Sequence, residues 1–536
     1  MSTVLRSASV VDGTGAPRYR ADVVFDGCRI TSINREGADR PFVDHVIDAD
    51  GLVLAPGFID MHAHSDLQLL ARPDHLAKVS QGVTCEVIGQ DGLSYAPVDD
   101  RTLAETRQQI AGWNDDPPGF DWNWRSVGEY LDRLDEGIAV NAVYLVPQGT
   151  VRQLVVGFED RPASAGELDR MREVVAQSLE EGAAGLSAGL TYPPGMYASD
   201  GELQALLKVT AAHGGYFSTH HRSYGVGALE AYQQMIDVCA RAGCPLHLTH
   251  ATLNFTVNRG RAPELIAMID RALSAGQDIT IDSYPYLPGA TTLAGLLPSW
   301  VWAGGPTAVL DRLADQATRD RIRVDLEEIG SDGWHGVRAE WDTVVISGVT
   351  EPVLTGLVGR TIADAAAERG VPASEVFFDV LVTDRLRTSI LQLIGNEENV
   401  RALMQHRTHC GGSDAILVGD RPHPRAWGTF PRYLARYCRE LALLTLEECV
   451  HHLTGRPARR LQLRDRGVVV EGGVADLVLF DPDTVADRAT LTEPRVQAAG
   501  INYVFVGGVA TIDAGEPTGA LPGRALRRAP DGRSVG

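Results

Sequence analysis

Short apolar runs alternate with helical stretches through most of the chain. Eight runs have the length and composition of buried strands, at residues 52–61, 83–88, 142–147, 184–190, 216–219, 245–249, 278–283 and 408–413. Most gaps between them carry apolar residues at helical spacing, as in 166–182, where Ser164 and Glu167 stand at capping-box spacing. Alternating strands and helices predict a parallel sheet, and eight such units predict an α/β fold with a closed (β/α)8 TIM-like barrel over residues 54–464.

The two ends of the chain have a different sequence pattern. Short β-rich runs joined by glycine turns occupy the first ~50 residues and return after residue 465. Neither end alone has enough strands to bury a core. We therefore expect residues 1–53 and 465–520 to pair into one small β-sandwich domain, followed by a loosely held C-terminal tail over 521–536.

The gap between Asp282 and Cys410 is too long for a single helix. It contains the turn Leu287-Pro288-Gly289 and a tryptophan-rich segment at 298–305. A long segment between two barrel strands is typical of a functional insertion. We predict a helical lid over one face of the barrel, at about 287–345.

Composition restricts the partners. The net charge of −21 argues against nucleic acid and against an anionic membrane surface. No uninterrupted apolar run approaches the ~18 residues needed to span a bilayer, and the chain start lacks the pattern of a signal peptide. The seven cysteines are sparse and form no CxxC motif, which favours a reducing, cytoplasmic location.

The most informative motif is His62-Ala63-His64, which follows the apolar run 52–56. Residues i and i+2 of a strand point to the same face, so the two imidazoles lie side by side. Such a pair binds a transition metal. The same spacing also occurs by chance in edge strands, so further ligands must decide.

Polar side chains end four other predicted strands, in the order Asp91, His220, His250 and Asp414. Because the carboxyl ends of barrel strands meet at one mouth, four imidazoles and two carboxylates are expected to converge there. These donors suit zinc or a similar divalent ion, which activates water and polarises a carbonyl. Asp414 is the candidate that takes the proton of this water and returns it to a leaving nitrogen.

Two further histidines are adjacent to these strand ends. His221 and His247 are out of phase with the ligands in their strands, and we expect both to be structural.

Several stretches resemble the N-acyl-D-amino-acid deacylases (D-aminoacylases) of the amidohydrolase superfamily. The resemblance covers nearly the whole chain, and the stretches that carry it are PGFIDMHAHSD (56–66), GLSAGLTYPPGMYA (185–198), THHR (219–222), SYPY (283–286), GGSDA (411–415), RPHPRAWGTFPRYL (421–434), LTGRPARRLQL (453–463) and ADLVLFDPDTVADRAT (475–490). The resemblance implies a (β/α)8 barrel, a small β domain from both chain ends, and zinc-dependent hydrolysis of the amide bond of a small N-acyl substrate.

The resemblance also implies roles for individual residues. His220 and His250 match the family's tightly held zinc ligands, and the second metal position is matched by His62, His64 and Asp414. Asp414 matches the catalytic aspartate. The substrate site is matched by an arginine that grips the substrate carboxylate and by two lining tyrosines: Arg425, Tyr192 and Tyr284.

One departure from the family lies at the metal site. The family usually has a cysteine ligand in a GNCG-like turn, whereas this chain has Gly89-Gln90-Asp91-Gly92. If Asp91 ligates directly, its harder oxygen shifts selectivity from zinc toward manganese or cobalt. The alternative is that Asp91 only orients a neighbouring histidine. The sequence does not fix whether one or two ions bind.

The other departures lie at the substrate end. A lysine that commonly follows the sixth-strand histidine is absent from His250-Ala251-Thr252-Leu253, and Ala290 stands where a serine is usual. A GHG turn after the third strand is replaced by Pro147-Gln148-Gly149. Arg425 remains for anion recognition, although its alternative role is an ion pair at the barrel rim.

Three hypotheses follow. The first is a metal-dependent hydrolase of N-acyl-D-amino acids. The second is an amidohydrolase for another amide, such as a cyclic, dipeptide-like or bulky N-acyl compound. The third is a catalytically silent binding protein, which would hold no metal. The sequence leaves the oligomeric state open, with a homo-oligomer as one alternative.

Overall fold

The computed structural model describes residues 2–35 and 43–529. The strands of this part of the chain are, in order, β1 (Ser2–Val10), β2 (Tyr19–Asp26), β3 (Arg29–Arg35), β4 (His45–Asp48), β5 (Val53–Pro56), β6 (Phe58–Asp60), β7 (Val83–Ile88), β8 (Asn141–Pro147), β9 (Gly185–Gly189), β10 (Tyr216–His220), β11 (Leu246–Leu248), β12 (Ile279–Ser283), β13 (Gly289–Thr292), β14 (Val344–Gly348), β15 (Ser389–Gln392), β16 (His409–Gly411), β17 (Leu477–Phe480), β18 (Ile501–Val506), β19 (Val509–Asp513) and β20 (Glu516–Pro517).

The α-helices of the same residues are α1 (Gln68–Ala71), α2 (Leu76–Val79), α3 (Asp100–Gln109), α4 (Ala111–Asn114), α5 (Val127–Leu134), α6 (Gln148–Val155), α7 (Ala165–Glu180), α8 (Asp200–Ala212), α9 (Ala228–Ala242), α10 (Ala262–Ser274), α11 (Gly305–Ala314), α12 (Gln316–Val324), α13 (Ile362–Arg369), α14 (Ala373–Thr383), α15 (Glu397–Met404), α16 (Arg425–Arg432), α17 (Leu446–Leu453) and α18 (Gly455–Leu461). The predicted capping box of α7 is present, since Ser164 and Glu167 cap each other's backbone N–H.

Eight parallel strands form the barrel, in the order β6-β7-β8-β9-β10-β11-β12-β16. The first and last strands meet, because Met61 N donates to Gly411 O at 3.1 Å and Ala63 pairs in parallel with Ala415. Each of the eight predicted runs overlaps one of these strands, with bounds that agree to within one residue where the strand extends beyond the run. The predicted (β/α)8 barrel is therefore confirmed, and its strand ends face one mouth.

The two ends of the chain share one sheet, in the order β20-β19-β18-β17-β5-β1-β2-β3, with β4 paired to β1. This sheet folds over its own core, since Phe25 on β2 contacts Phe505 on β18 with ring centroids 5.1 Å apart. The predicted small β domain built from both ends is confirmed. Strand β5 lies in this sheet, so the chain enters the barrel at Gly57, a few residues later than the predicted boundary.

Gly57 is required at this junction. A Cβ on Gly57 would lie 2.2 Å from the side chain of Thr84, and its N–H donates to Asp476 O at 2.8 Å. The packing of Thr84 against the chain therefore leaves no room for a side chain at the junction of the barrel and the small domain.

The insertion differs from the predicted helical lid at 287–345. It contains helices α11 to α14, but also an antiparallel sheet in the order β13-β15-β14, and its apolar core continues to Ile394. Trp302 and Trp334 are buried in that core. The prediction missed the sheet because these strands have four or five residues each, too few to show a clear alternation.

The described part of the predicted C-terminal tail is attached to the barrel. Gly523 pairs with Ile138 and Ala525 pairs with Ala142, and the side chains of Ala525 and Leu526 are buried. Residues 530–536 lie outside the described residues. Residues 521–529 thus differ from the loosely held segment that the sequence suggested.

No helix in the described residues combines the length and apolar character needed to cross a membrane. All seven cysteines are free thiols.

A buried ionic network lies under the seam where the barrel closes. Lys78 Nζ is 2.5 Å from Asp60 Oδ2, 2.7 Å from Glu86 Oε1 and 2.9 Å from Ser413 Oγ. Asp60 also accepts from the backbone N–H groups of His62 and Ser413, at 3.1 and 2.8 Å. Burial alone would raise the pKa of Glu86, but the charges of Lys78 and His75 lower it to about 2. The network therefore joins the first, second and last barrel strands beneath the mouth.

Replacing Lys78 by methionine should destabilise the protein by about 3–5 kcal/mol, because Asp60 and Glu86 would be left as uncompensated buried charges. Urea unfolding followed by circular dichroism measures this loss. The matched control is Lys208→Met, since the only other lysine of the chain is exposed on α8. Equal stability of the two variants would contradict the role given to the network.

Candidate metal centre

All six predicted ligands converge at the mouth of the barrel. Their donor atoms form two groups, each with all atoms within 4.8 Å of one another: His62, His64, Asp91 and Asp414, and Asp91, His220 and His250. All six side chains are buried. Asp91 belongs to both groups, so one carboxylate lies between two potential metal positions.

The distances around Asp91 are those of a shared carboxylate. Its Oδ1 is 3.6 Å from His62 Nε2, and its Oδ2 is 3.4 Å from His220 Nδ1 and 3.6 Å from His250 Nε2. No hydrogen bond satisfies Asp91 Oδ1. A buried carboxylate oxygen without a donor is costly, and a cation between these groups would supply the missing partner.

The imidazole pairs support the same conclusion. His62 Nε2 and His64 Nε2 lie 3.3 Å apart, and His220 Nδ1 and His250 Nε2 lie 3.1 Å apart. Two ring nitrogens at this distance repel each other unless a proton or a cation lies between them. Neutral imidazoles and carboxylates are the donors that zinc takes in proteins, so the residues present fit a divalent ion.

Three of the six ligands have left-handed backbone conformations. The φ angles are 54° at Asp91, 30° at His250 and 49° at Asp414. Non-glycine residues in this region cost roughly 1–2 kcal/mol each. The fold maintains these conformations two or three residues after the ends of β7, β11 and β16, and such strain is concentrated at functional sites.

Both carboxylates of the site are ionised. Burial alone would raise the pKa of Asp91, but His62 and His220 lower it well below its usual range. Burial acts in the same way on Asp414, whose pKa is lowered by the charges of Arg425 and His62. Two ionised carboxylates in a buried pocket attract a divalent cation.

Asp282 on β12 connects the two groups of ligands from below. Its Oδ1 accepts from the backbone N–H of His250 at 2.8 Å, and its Oδ2 lies 2.8 Å from His247 Nε2 and 3.7 Å from His62 Nδ1. His62 Nδ1 has no hydrogen-bond partner, and Asp282 Oδ2 is the acceptor that it faces. A carboxylate behind a ligating imidazole holds the ring in the orientation and tautomer that a metal requires.

The sequence did not single out Asp282, although a charged residue in the apolar strand Ile279–Ser283 was a usable signal. His247, which we predicted to be structural, is fully buried and bonded to Asp282 and to Thr280 Oγ1 at 2.7 Å. His221 stacks between Tyr224 and Tyr232, with ring centroids 4.1 and 3.8 Å away, and belongs to neither donor group.

The three predicted substrate residues lie beside the metal site. The guanidinium of Arg425 is fully buried, lies 4.4 Å above the ring of Tyr284, and reaches to 2.9 Å from Asp414 Oδ2. Nη2 makes this ion pair, and Nε and Nη1 have no hydrogen-bond partner. A buried guanidinium with unused donors is suited to a bidentate carboxylate.

A cavity of about 70 Å³ opens over the ligands. Tyr192 and Tyr284 are among the residues that line it, as is Ala290, which replaces the serine usual in the resembling family. The Tyr192 hydroxyl bonds Thr291 Oγ1 at 3.0 Å, and its ring contacts His220 with centroids 5.0 Å apart. Gln148 lies in the turn after β8 that replaces the GHG turn of the resembling family, and its Nε2 donates to Glu202 Oε1 at 3.3 Å.

Comparisons with known proteins agree with this site. A family model described as the amidohydrolase family matches residues 45–512. The N-acyl-D-glutamate deacylase of Alcaligenes xylosoxydans xylosoxydans is 35% identical over 533 residues, which are 98% of this chain and 97% of that protein.

Solved structures show the same likeness. An N-acyl-D-glutamate deacylase from Bordetella bronchiseptica, complexed with zinc and a phosphonate mimic of the tetrahedral intermediate, superposes with a TM-score of 0.83 at 32% identity. A D-aminoacylase with a binuclear metal centre superposes with a TM-score of 0.82 at 32% identity. In both cases the match covers 98% of this chain and 99% of the other.

The position of Asp91 generates a prediction about metal choice. Replacing Asp91 by cysteine should raise the zinc-to-manganese ratio bound from an equimolar mixture by about 10-fold or more, because thiolate is softer than carboxylate. Elemental analysis of the purified protein measures the ratio.

The control for the added thiol is Asp237→Cys on the exposed side of α9. An unchanged ratio in Asp91→Cys would place Asp91 outside the metal ligands and favour its alternative role as a group that orients a histidine.

Proposed function

Since the chain belongs to the amidohydrolase family, we propose that it is a metal-dependent amidohydrolase that cleaves the amide bond of N-acyl-D-amino acids. The observation that carries the proposal is one buried site in which two groups of metal donors adjoin a guanidinium with unused hydrogen-bond donors. The D configuration and the N-acyl group rest on the likeness to N-acyl-D-glutamate deacylase and D-aminoacylase.

Zinc is the proposed cofactor, as one or two ions, with manganese or cobalt as alternatives because Asp91 offers oxygen. One ion would be held by His220, His250 and Asp91, and a second by His62, His64, Asp91 and Asp414. When bound, the ion supplies Lewis acidity that polarises a carbonyl and lowers the pKa of water.

Asp414 is the proposed catalytic base and acid. Its Oδ1 lies 3.2 Å from His64 Nε2, and its Oδ2 faces Arg425. Its lowered pKa keeps the carboxylate ionised and able to accept a proton from the attacking water. Oxygen then bonds to the acyl carbon, the C–N bond breaks, and Asp414 returns the proton to the leaving amine.

Arg425 is the proposed anchor of the substrate carboxylate. A charge-assisted hydrogen bond contributes about 1.5–3 kcal/mol, and Arg425 offers a planar fork of donors. Burial raises the pKa of Tyr284 to about 12, so its phenol beneath the guanidinium is neutral. The absence of the family's lysine and serine leaves Arg425 as the main source of this recognition.

A second candidate function is hydrolysis of an amide without a free carboxylate. The missing lysine and Ala290 favour it, because both changes weaken anion capture. The unused donors of the buried Arg425 favour the first candidate. A silent binding protein finds no support in a site where six donors converge.

We also propose a cytoplasmic location, supported by seven free cysteines. A homo-oligomer stays a prediction.

The substrate assignment predicts that the protein, loaded with zinc or manganese, turns over at least some N-acetyl-D-amino acids. The corresponding methyl esters should react at rates at least ~10²-fold lower, because they have no carboxylate to pair with Arg425. Release of the free amine measures both, and the L-enantiomers serve as controls. A panel without any turnover would refute the proposal, and faster cleavage of the carboxylate-free compounds would select the second candidate.

The catalytic assignment predicts that Asp414→Asn loses about 10²–10⁴-fold in kcat while the protein stays folded and keeps most of its metal, because the amide cannot take a proton. Steady-state kinetics and elemental analysis measure the two effects. Asp420→Asn, at an exposed position in the same loop, is the matched control. Near-normal turnover of Asp414→Asn would overturn the assignment.

A further inference from the structure

The cavity over the metal centre has a second wall, supplied by the insertion. Residues of β13, β15 and the segment around 333–335 line it opposite the barrel ligands. The barrel side carries the ligands and the two tyrosines. The insertion side therefore faces whatever part of a substrate extends away from the reacting amide.

Two polar groups on the insertion side have no partner. Gln392, the last residue of β15, is 6% exposed, and its Nε2 makes no hydrogen bond. His335 Nδ1 is also without a hydrogen bond. Burial lowers the pKa of His335, so its imidazole is neutral at neutral pH. Both residues line the cavity, and both are uncharged hydrogen-bonding groups.

Apart from the metal-site residues, which include Asp91 and Asp414, the remaining lining is uncharged. Thr252 and Asn254 bond each other at 2.8 Å, and Leu296, Ile394 and Ile416 supply apolar surface. Within residues 2–35 and 43–529, neither lysine nor arginine lines this cavity. The two lysines of the chain are engaged or distant, since Lys78 lies in the seam network and Lys208 is exposed on α8.

Arg222, two residues after the cavity residue His220, is also engaged. Arg222 donates to the backbone oxygens of Met196 and Ala198. Arg425, the proposed partner of the α-carboxylate, does not line the cavity but lies directly behind two residues that do, Tyr284 and Asp414. A second carboxylate on the substrate would therefore be desolvated among neutral groups, close to the ionised Asp91 and Asp414, and that burial is unfavourable without a cation.

We propose that this cavity accepts an uncharged substrate side chain, with Gln392 and His335 as the residues that determine specificity. The inference rests on the proposed function and narrows it. Side chains with an amide fit best, because the carbonyl accepts from Gln392 Nε2 and the amide N–H₂ donates to a neutral imidazole. We expect a lower kcat/KM for substrates with apolar side chains of similar length, and the lowest for dicarboxylic substrates. The expected preference thus differs from that named for the relative N-acyl-D-glutamate deacylase.

The test compares N-acetyl-D-glutamine with its near-isostere N-acetyl-D-glutamate on the metal-loaded full chain. We expect kcat/KM to be about 100-fold higher for the glutamine compound. Equal or higher kcat/KM for the glutamate compound would overturn this inference alone. Absence of turnover on every N-acyl-D-amino acid would overturn the proposed function, and this inference with it.

A matched pair of variants locates the determinant. Gln392→Lys introduces a cation into the cavity and should raise the glutamate-to-glutamine ratio of kcat/KM by about 10- to 100-fold. Leu393→Lys places the same charge on the neighbouring residue, which is 45% exposed and does not line the cavity, and should leave the ratio unchanged. A ratio that moves equally in both variants would remove Gln392 from this role.

Discussion

The site depends on one buried carboxylate between two pairs of imidazoles. Asp91 lies within 3.6 Å of His62, His220 and His250, and its ionisation is maintained by those rings against the cost of burial. Without a cation, Asp91 would repel a substrate anion, and four imidazole nitrogens would face one another without compensation. A divalent cation resolves both conflicts at once, because it pairs with the carboxylate and accepts the lone pairs of the rings.

The residues around Asp91 fix the positions of the metal ligands through hydrogen bonds and ion pairs. The Lys78 network fixes the backbone of His62 and of the loop before Asp414, where the barrel closes on itself. Asp282 fixes the backbone of His250 and faces the free nitrogen of His62. The interior of the barrel therefore carries two ionic clusters below the ligands, and each joins strands that are distant in sequence. Rigid support of this kind keeps ligands within the narrow geometry that a metal site needs.

Chemistry and specificity come from different parts of the fold. The barrel supplies the ligands, including Asp414, at or shortly after strand ends, and Arg425 at the start of α16. The insertion supplies Leu296, His335 and Gln392, and so it shapes the side of the cavity that meets the variable part of a substrate. An identity of 35% to an N-acyl-D-glutamate deacylase over 98% of the chain is compatible with a different side-chain preference. Side-chain preference depends on a few residues of the insertion, which can change without affecting catalysis.

The sequence by itself determined the barrel, the pairing of the two chain ends and the identity of the six donors. Buried parallel strands are continuous apolar runs, and a polar residue that ends such a run must lie at the common mouth, so these features follow from local patterns. The tertiary structure alone decided that Asp91 lies between two groups of imidazoles, that Asp282 supports His62 and His250, and that Gln392 and His335 face the same cavity. It also decided the sheet within the insertion, whose strands are too short to leave a periodic signal. These contacts join residues tens to hundreds of positions apart, and their geometry depends on how whole elements pack, which local periodicity does not record.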